Sequence, residues 1–129
     1  MTRVQGSMAD INHHAVVLLV GPEAAALAER LRASGYAVIE WSSGADIRIT
    51  KGSEQTPVAA ILSGDQGEWV AELRVRFGSI PILIGVSDDN VAARESVFAC
   101  GADDFWFPHS APSDLLQRLR LHLSLPVSY

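Results

Sequence analysis

One cysteine in 129 residues, Cys100, leaves no possibility of an internal disulfide. Its place beside Phe98 and Ala99 in an apolar helical pattern predicts a buried, inert thiol rather than a reactive one. The chain also lacks any apolar run near the roughly 20 residues that cross a bilayer, and no hydrophobic signal core follows Arg3. Both absences point to a cytoplasmic protein with no membrane partner. Positive charge is not in surplus: the formal net charge is −5 at pH 7. This excludes direct nucleic-acid binding by the domain, because neutralising phosphates needs an excess of lysine and arginine. Nor is there a glycine-rich phosphate cradle, a nucleophile elbow or a cluster of cysteine and histidine ligands. The reading is of a non-enzyme with no cofactor and no metal.

What is present is globular. Hydrophobic residues make up 48% and charged residues 19%, and the length suits one domain around one core. Residues 1–14 show no periodicity and read as a flexible lead, in which the neighbouring His13 and His14 are expected to be solvent-exposed rather than metal-binding. Residues 15–124 read as the folded domain, and 125–129 as a C-terminal tail or the start of a linker.

Ala15 to Val20 is a continuous β-branched and apolar run, the mark of a strand covered on both faces. Gly21-Pro22 ends it, and Pro22 suits the first turn of a helix. Glu23 to Ser34 has helical spacing with Gly35 as its stop. Tyr36 to Trp41 reads as a second strand, and Ser42 to Thr56, with Gly44 and Gly52, as a short or irregular helix. Val58 to Leu62, Ile80 to Val86 and Asp104 to Phe107 read as strands; Gln66 to Arg76, Asp89 to Cys100 and Ser113 to Ser124 read as helices. Five strands alternating with five helical segments imply parallel pairing, right-handed crossovers and helices on both faces of one sheet. The expected fold class is α/β: a doubly wound, flavodoxin-like five-stranded parallel sheet of order 2-1-3-4-5, with its ligands at the carboxyl ends of the strands.

The run Gly101-Ala102-Asp103-Asp104-Phe105-Trp106-Phe107-Pro108-His109, continuing to Ser113-Asp114-Leu115-Leu116, resembles without a gap the last strand and helix of CheY-like response-regulator receiver domains, most of all those of OmpR-type regulators. That family reads Gly-Ala-Asp-Asp-Tyr, two residues, Lys-Pro, then a helix near Ser-Pro-Glu-Glu-Leu. The resemblance implies acidic metal ligands after the first strand, an aspartate ending the third to accept phosphoryl, a Ser or Thr ending the fourth and a lysine ending the fifth. At the matching positions stand Glu23, Ser63, Val86 and Pro108. Ser63 has no carboxylate to phosphorylate, Pro108 no cation to pair with the product, and Glu23 alone is a weak metal site. Ser87, one position late, is expected on the opposite face of its strand. Asp65, two residues past Ser63, is the one candidate to rescue phosphorylation. His109, where the family has proline, is a candidate pH or metal sensor only if it lies in the pocket mouth. Trp41, Trp69 and Trp106 are expected to fill core, and His122 to be a partly exposed helical residue.

A second set of positions keeps the family's signs. In OmpR-type receivers the fourth helix, fifth strand and fifth helix form a two-fold dimer face, and the matching charges are Arg94, Asp104, Asp114 and Arg118. The resemblance implies cross-subunit pairs of Arg94 with Asp114 and of Asp104 with Arg118, around apolar residues such as Val97, Leu116 and Leu119. The alternative is a solvated charged face. The expected function is a phosphorylation-independent receiver-like signalling domain that forms a homodimer, as the regulatory part of an atypical OmpR-like transcription regulator. The alternative is a stand-alone pseudo-receiver that serves as a protein-binding adaptor. A small flavodoxin-like enzyme is disfavoured by the lack of a phosphate-binding loop after the first strand.

Overall fold

The computed structural model describes residues 15–48, 56–87 and 91–124. The expected lead at 1–14 with His13 and His14, the tail at 125–129, Gly52 and the start of the fourth helix at Asp89 lie outside the described residues. The apolar runs form five parallel strands, β1 Val16–Val20, β2 Ala37–Trp41, β3 Ala59–Leu62, β4 Ile82–Gly85 and β5 Asp104–Trp106, in the order β2-β1-β3-β4-β5. This is the expected doubly wound topology. Five α-helices accompany them: α1 Pro22–Ala25, α2 Ala28–Ala33, α3 Val70–Phe77, α4 Val91–Ala99 and α5 Pro112–Ser124.

Every residue of β1, β3 and β4 is buried, which is why these strands read as unbroken apolar runs rather than alternating ones. Alternation still sorts them between two core layers. Leu18, Val20, Leu62, Ile82 and Ile84 pack with Leu73 and Val97 on one face. Val17, Leu19, Ile61 and Leu83 pack with Leu31, Trp106 and Leu119 on the other. The registers Val20↔Trp41, Val20↔Leu62, Leu62↔Ile84 and Gly85↔Trp106 bring the carboxyl ends of all five strands to one edge.

Three elements depart from expectation. The first helix is two short ones, because at Leu27 the N–H bonds Ala24 O three residues back at 2.9 Å. α1 is anchored to β3 by a side-chain cap and α2 to the sheet by Leu27 and Leu31, so the chain adjusts between two anchors. The third helix opens as a 3-10 turn over Gly64–Trp69, where two glycines weaken the α-helix and the buried Gln66 accepts the Gly44 N–H at 2.8 Å. The fourth strand begins at Ile82, since Pro81 has no N–H for the ladder. The region expected to be irregular after β2 is a 3-10 turn over Gly44–Arg48, with 49–55 outside the described residues.

β5 is an edge strand of three residues, and Asp103 just before it and Asp104 at its start tie it to opposite sides of the sheet. Asp103 Oδ2 accepts from Arg74 of α3 at 2.7 Å and from the Ile82 N–H at 2.8 Å. Arg74 also donates to Ile80 O at 2.6 Å and Gly101 O at 2.9 Å. Asp104 accepts from Arg118 of α5 at 3.0 Å and pairs with His122 Nε2 at 2.9 Å.

Candidate functional site

A cleft of about 790 Å³ opens at the carboxyl edge of the sheet, between the loops after β1 and β3 on one side and β4 with α4 on the other. The position is the switch point where the strand order reverses, and the volume falls within the small-molecule range. Of the positions matched to phosphoryl chemistry, Glu23, Ser63 and Val86 line it, together with Asp65.

Each makes contacts within the chain. Ser63 is 1% exposed, and its Oγ accepts the Ala24 N–H at 3.1 Å. Gly21, the residue before α1, has no side chain to cap the helix, and its φ of 96° suits glycine. A Cβ there would come within 2.5 Å of Ser63 Oγ. Ser63 therefore caps α1 from the loop after β3, which the sequence did not foreshadow because cap and helix are 39 residues apart. Glu23 is exposed, with Oε1 at 3.5 Å from the Gly64 N–H. Asp65, also exposed, accepts from Gln66 Nε2 at 3.2 Å. Val86 is buried and its N–H bonds Trp106 O at 2.8 Å. Pro108 packs on Gly85, its Cγ 3.3 Å from where a Cβ would stand.

Ser87 is not turned to the opposite face: the strand ends at Gly85, alternation ends with it, and Ser87 stands exposed at the cleft. Cys100 is half-buried rather than buried and lines the cleft, its thiol donating to Val97 O at 3.0 Å. His109 is exposed and lines a separate hollow with Ser87, Phe107 and Ser110. Trp41 and Trp106 fill core, Trp106 with its Nε1 donating to Leu62 O at 3.0 Å, and Trp69 packs partly buried against it.

The donor set does not fit a divalent ion. Magnesium takes oxygen ligands in near-octahedral array, and among the described residues only Glu23 and Asp65 offer carboxylates at the cleft, while Ser63 already accepts a backbone N–H. Among the described residues no three His, Cys, Asp or Glu side chains group to hold a metal. Among the described residues no lysine, arginine or histidine lines the cleft to meet an anion.

The four charges matched to the dimer face lie on α4, β5 and α5. Arg94 and Asp114 are exposed. Asp104 and Arg118 bond to each other within the chain. Between them runs an aromatic ladder, with Phe98 to Phe105 at 6.2 Å and Phe105 to Phe107 at 5.4 Å between centroids, both edge-on. The Arg94 and Arg118 guanidinium groups lie 5.5 and 4.7 Å from the Phe105 centroid. The exposed apolar side chains here include Val91, 67% exposed, Phe98, 51% exposed, and Leu121, 62% exposed. Val97 and Leu119 are in the core and Leu116 packs against it, because those positions face the sheet.

No protein-family model matches this chain, and no curated protein does. Solved structures do. The receiver domain of the sensor histidine kinase PA1611 from Pseudomonas aeruginosa, with magnesium coordinated in its active-site cleft, is 20% identical, with 86% of this chain and 98% of that one covered and a TM-score of 0.72. The beryllofluoride-activated receiver domain of Klebsiella pneumoniae RstA is 25% identical over 84% of this chain and 97% of that one, with a TM-score of 0.69. Thermotoga maritima DrrB, an OmpR/PhoB homologue, is 17% identical over 88% of this chain and 54% of that one, with a TM-score of 0.72. The chain is thus a five-stranded domain of the CheY-like receiver fold. More particularly, an OmpR/PhoB homologue, DrrB, is among the solved structures that share this fold. Among the described residues no helix is long and apolar enough to cross a membrane.

Proposed function

We propose that this chain is a phosphorylation-independent, receiver-like signalling domain that dimerises through α4, β5 and α5, as the regulatory part of an atypical OmpR-like transcription regulator. The observation that carries this reading is a contrast between two surfaces of one fold. At the cleft a helix cap stands where the phosphoacceptor belongs and the chain has Pro108 where the lysine belongs, while the α4–β5–α5 face retains charges of both signs around exposed Phe98 and Leu121. A surface that carries both signs can complement a second copy of itself about a two-fold axis.

The apolar pair supplies the affinity. Rim ion pairs are worth roughly 0 to 1 kcal/mol each, and Asp104 already has Arg118 and His122 within its own chain. Exchanging that pair across the axis replaces one partner by an equivalent one. Arg94 and Asp114, both exposed, are the cross-subunit pair to test.

Sedimentation equilibrium of the unmodified chain tests the reading. A dimer is expected without any phosphodonor, and Phe98→Asp is expected to give a monomer. Arg94→Asp is expected to weaken the dimer, and adding Asp114→Arg to recover part of the loss. A wild type that stays monomeric at high micromolar concentration refutes the interface and favours the stand-alone adaptor, for which the same exposed face would dock a different protein.

A further inference from the structure

The α4–β5–α5 face has relief as well as charge. Phe98 stands out from α4, half exposed. Between β5 and α5 lies a groove of about 390 Å³, with Trp106, Phe107, Leu115 and Leu121 giving it apolar surface and Gln117 and Arg118 among the polar residues beside them. α4 packs through Val97 on one face of the sheet, and α5 packs through Leu115 and Leu119 on the other. The protrusion and the groove therefore flank the edge strand β5 from its two sides. Phe105 of that strand links them: its ring meets Phe98 at 6.2 Å and Phe107, a residue of the groove, at 5.4 Å. A cavity of about 150 Å³ accepts benzene, so the groove has room for a phenyl ring.

We infer that this groove is the socket for Phe98 of a second copy. The inference rests on the proposed dimer and names what each copy inserts into the other. A two-fold axis beside β5 exchanges the α4 side of one copy for the α5 side of the other, so a side chain that protrudes from α4 meets the groove against α5, and does so twice. The charges obey the same exchange. Arg94 lies one helical turn before Phe98 on α4, and Asp114 lines the groove, so pairing Arg94 with Asp114 of the other copy sets Phe98 beside the socket. The ring brings no polar atom that would need a partner there. It also covers Leu121, whose exposed side chain belongs to the same groove. An aromatic anchor seated in a pocket is the kind of contact on which interfaces concentrate their affinity.

The test is isotope-filtered NOE spectroscopy on a mixture of labelled and unlabelled whole chain, with sedimentation equilibrium in parallel. Contacts are expected between the Phe98 ring of one copy and the Leu121 methyl groups of the other. Phe98→Ala empties both sockets and is expected to raise the dissociation constant of the dimer about hundredfold, about tenfold for each ring withdrawn. Gln117→Trp, at an exposed position, fills the groove from its own chain and is expected to weaken the dimer by a similar factor, with an amide spectrum that shows it folded. The two changes together should cost no more than either alone, because both remove the same contact. Factors that multiply would place Phe98 and the groove in separate contacts and overturn the inference. So does a dimer without the cross-copy NOE from Phe98 to Leu121, or a Gln117→Trp variant that dimerises as the wild type does; in each of these cases the dimer stands and the socket alone falls. A wild type that stays monomeric removes both.

Discussion

Replacing Ser63 by alanine removes a single oxygen, and the fold is expected to register the loss. The Ser63 Oγ is the acceptor for the Ala24 N–H at 3.1 Å, with Ser63 1% and Ala24 0% exposed, so no water replaces it without the structure opening. A buried donor left without a partner costs about 1 to 3 kcal/mol, and loss of a helix N-cap costs about 1 kcal/mol by itself. Ser63→Ala should therefore lower the free energy of unfolding by about 2 kcal/mol, a large part of the roughly 5 to 15 kcal/mol that such a domain has. With a urea slope of about 1 to 3 kcal/mol per molar, the midpoint moves down by about 1 M. Urea unfolding followed by the fluorescence of the buried Trp41 and Trp106 measures it. Ser87→Ala serves as the control: its hydroxyl is exposed, and its midpoint should move by no more than the equivalent of about 0.5 kcal/mol. If the two variants unfold at the same urea concentration, Ser63 is not a cap and the account of the cleft fails with it.

Acetyl phosphate or beryllofluoride with magnesium should leave both the wild type and Ser63→Asp unmodified, because a restored carboxylate still lacks a cation at Pro108 and a full set of metal ligands. Intact mass checks this, and a hydroxylamine-sensitive phosphoryl adduct on either protein, on Asp65 in particular, contradicts it. Arg74→Met removes the donors to Ile80 O, Gly101 O and Asp103 while keeping the aliphatic stem. With the pair partly exposed, at 28% and 39%, the expected loss is about 1 to 3 kcal/mol, visible as a lower thermal midpoint and as faster amide exchange across β5.

The strands and their order were legible because the three central strands are buried on both faces, which writes them into the chain as apolar runs bounded by Gly21-Pro22, Ser63-Gly64 and Pro81. The resemblance at residues 101–116 supplied the rest of the topology. The break at Leu27 was not legible, since an alanine-rich run with helical spacing contains no glycine or proline to mark it. Nor was the role of Ser63, which exists only once β3 has been brought against α1. The partner of Asp104 was half legible: Asp114, Arg118 and His122 recur every four residues on one face of α5, yet sequence spacing says nothing about which of them closes back on β5. The apolar part of the α4–β5–α5 surface was misassigned because periodicity identifies a stripe without saying which stripe meets the sheet. Val97 and Leu119 do, and Phe98 and Leu121 do not.

The paired aspartates of β5 bear on what such a domain can communicate. Asp103 fastens the strand to α3 and Asp104 fastens it to α5, so the edge on which Phe105 stands is clamped from both sides before anything binds. That face, on the proposed reading, does not report a chemical event elsewhere in the molecule. On the proposed reading, what varies instead is the number of copies, and the dimer follows mass action on the protein's own abundance. Synthesis and degradation then take the place of kinase and phosphatase, and the signal becomes a concentration rather than a state.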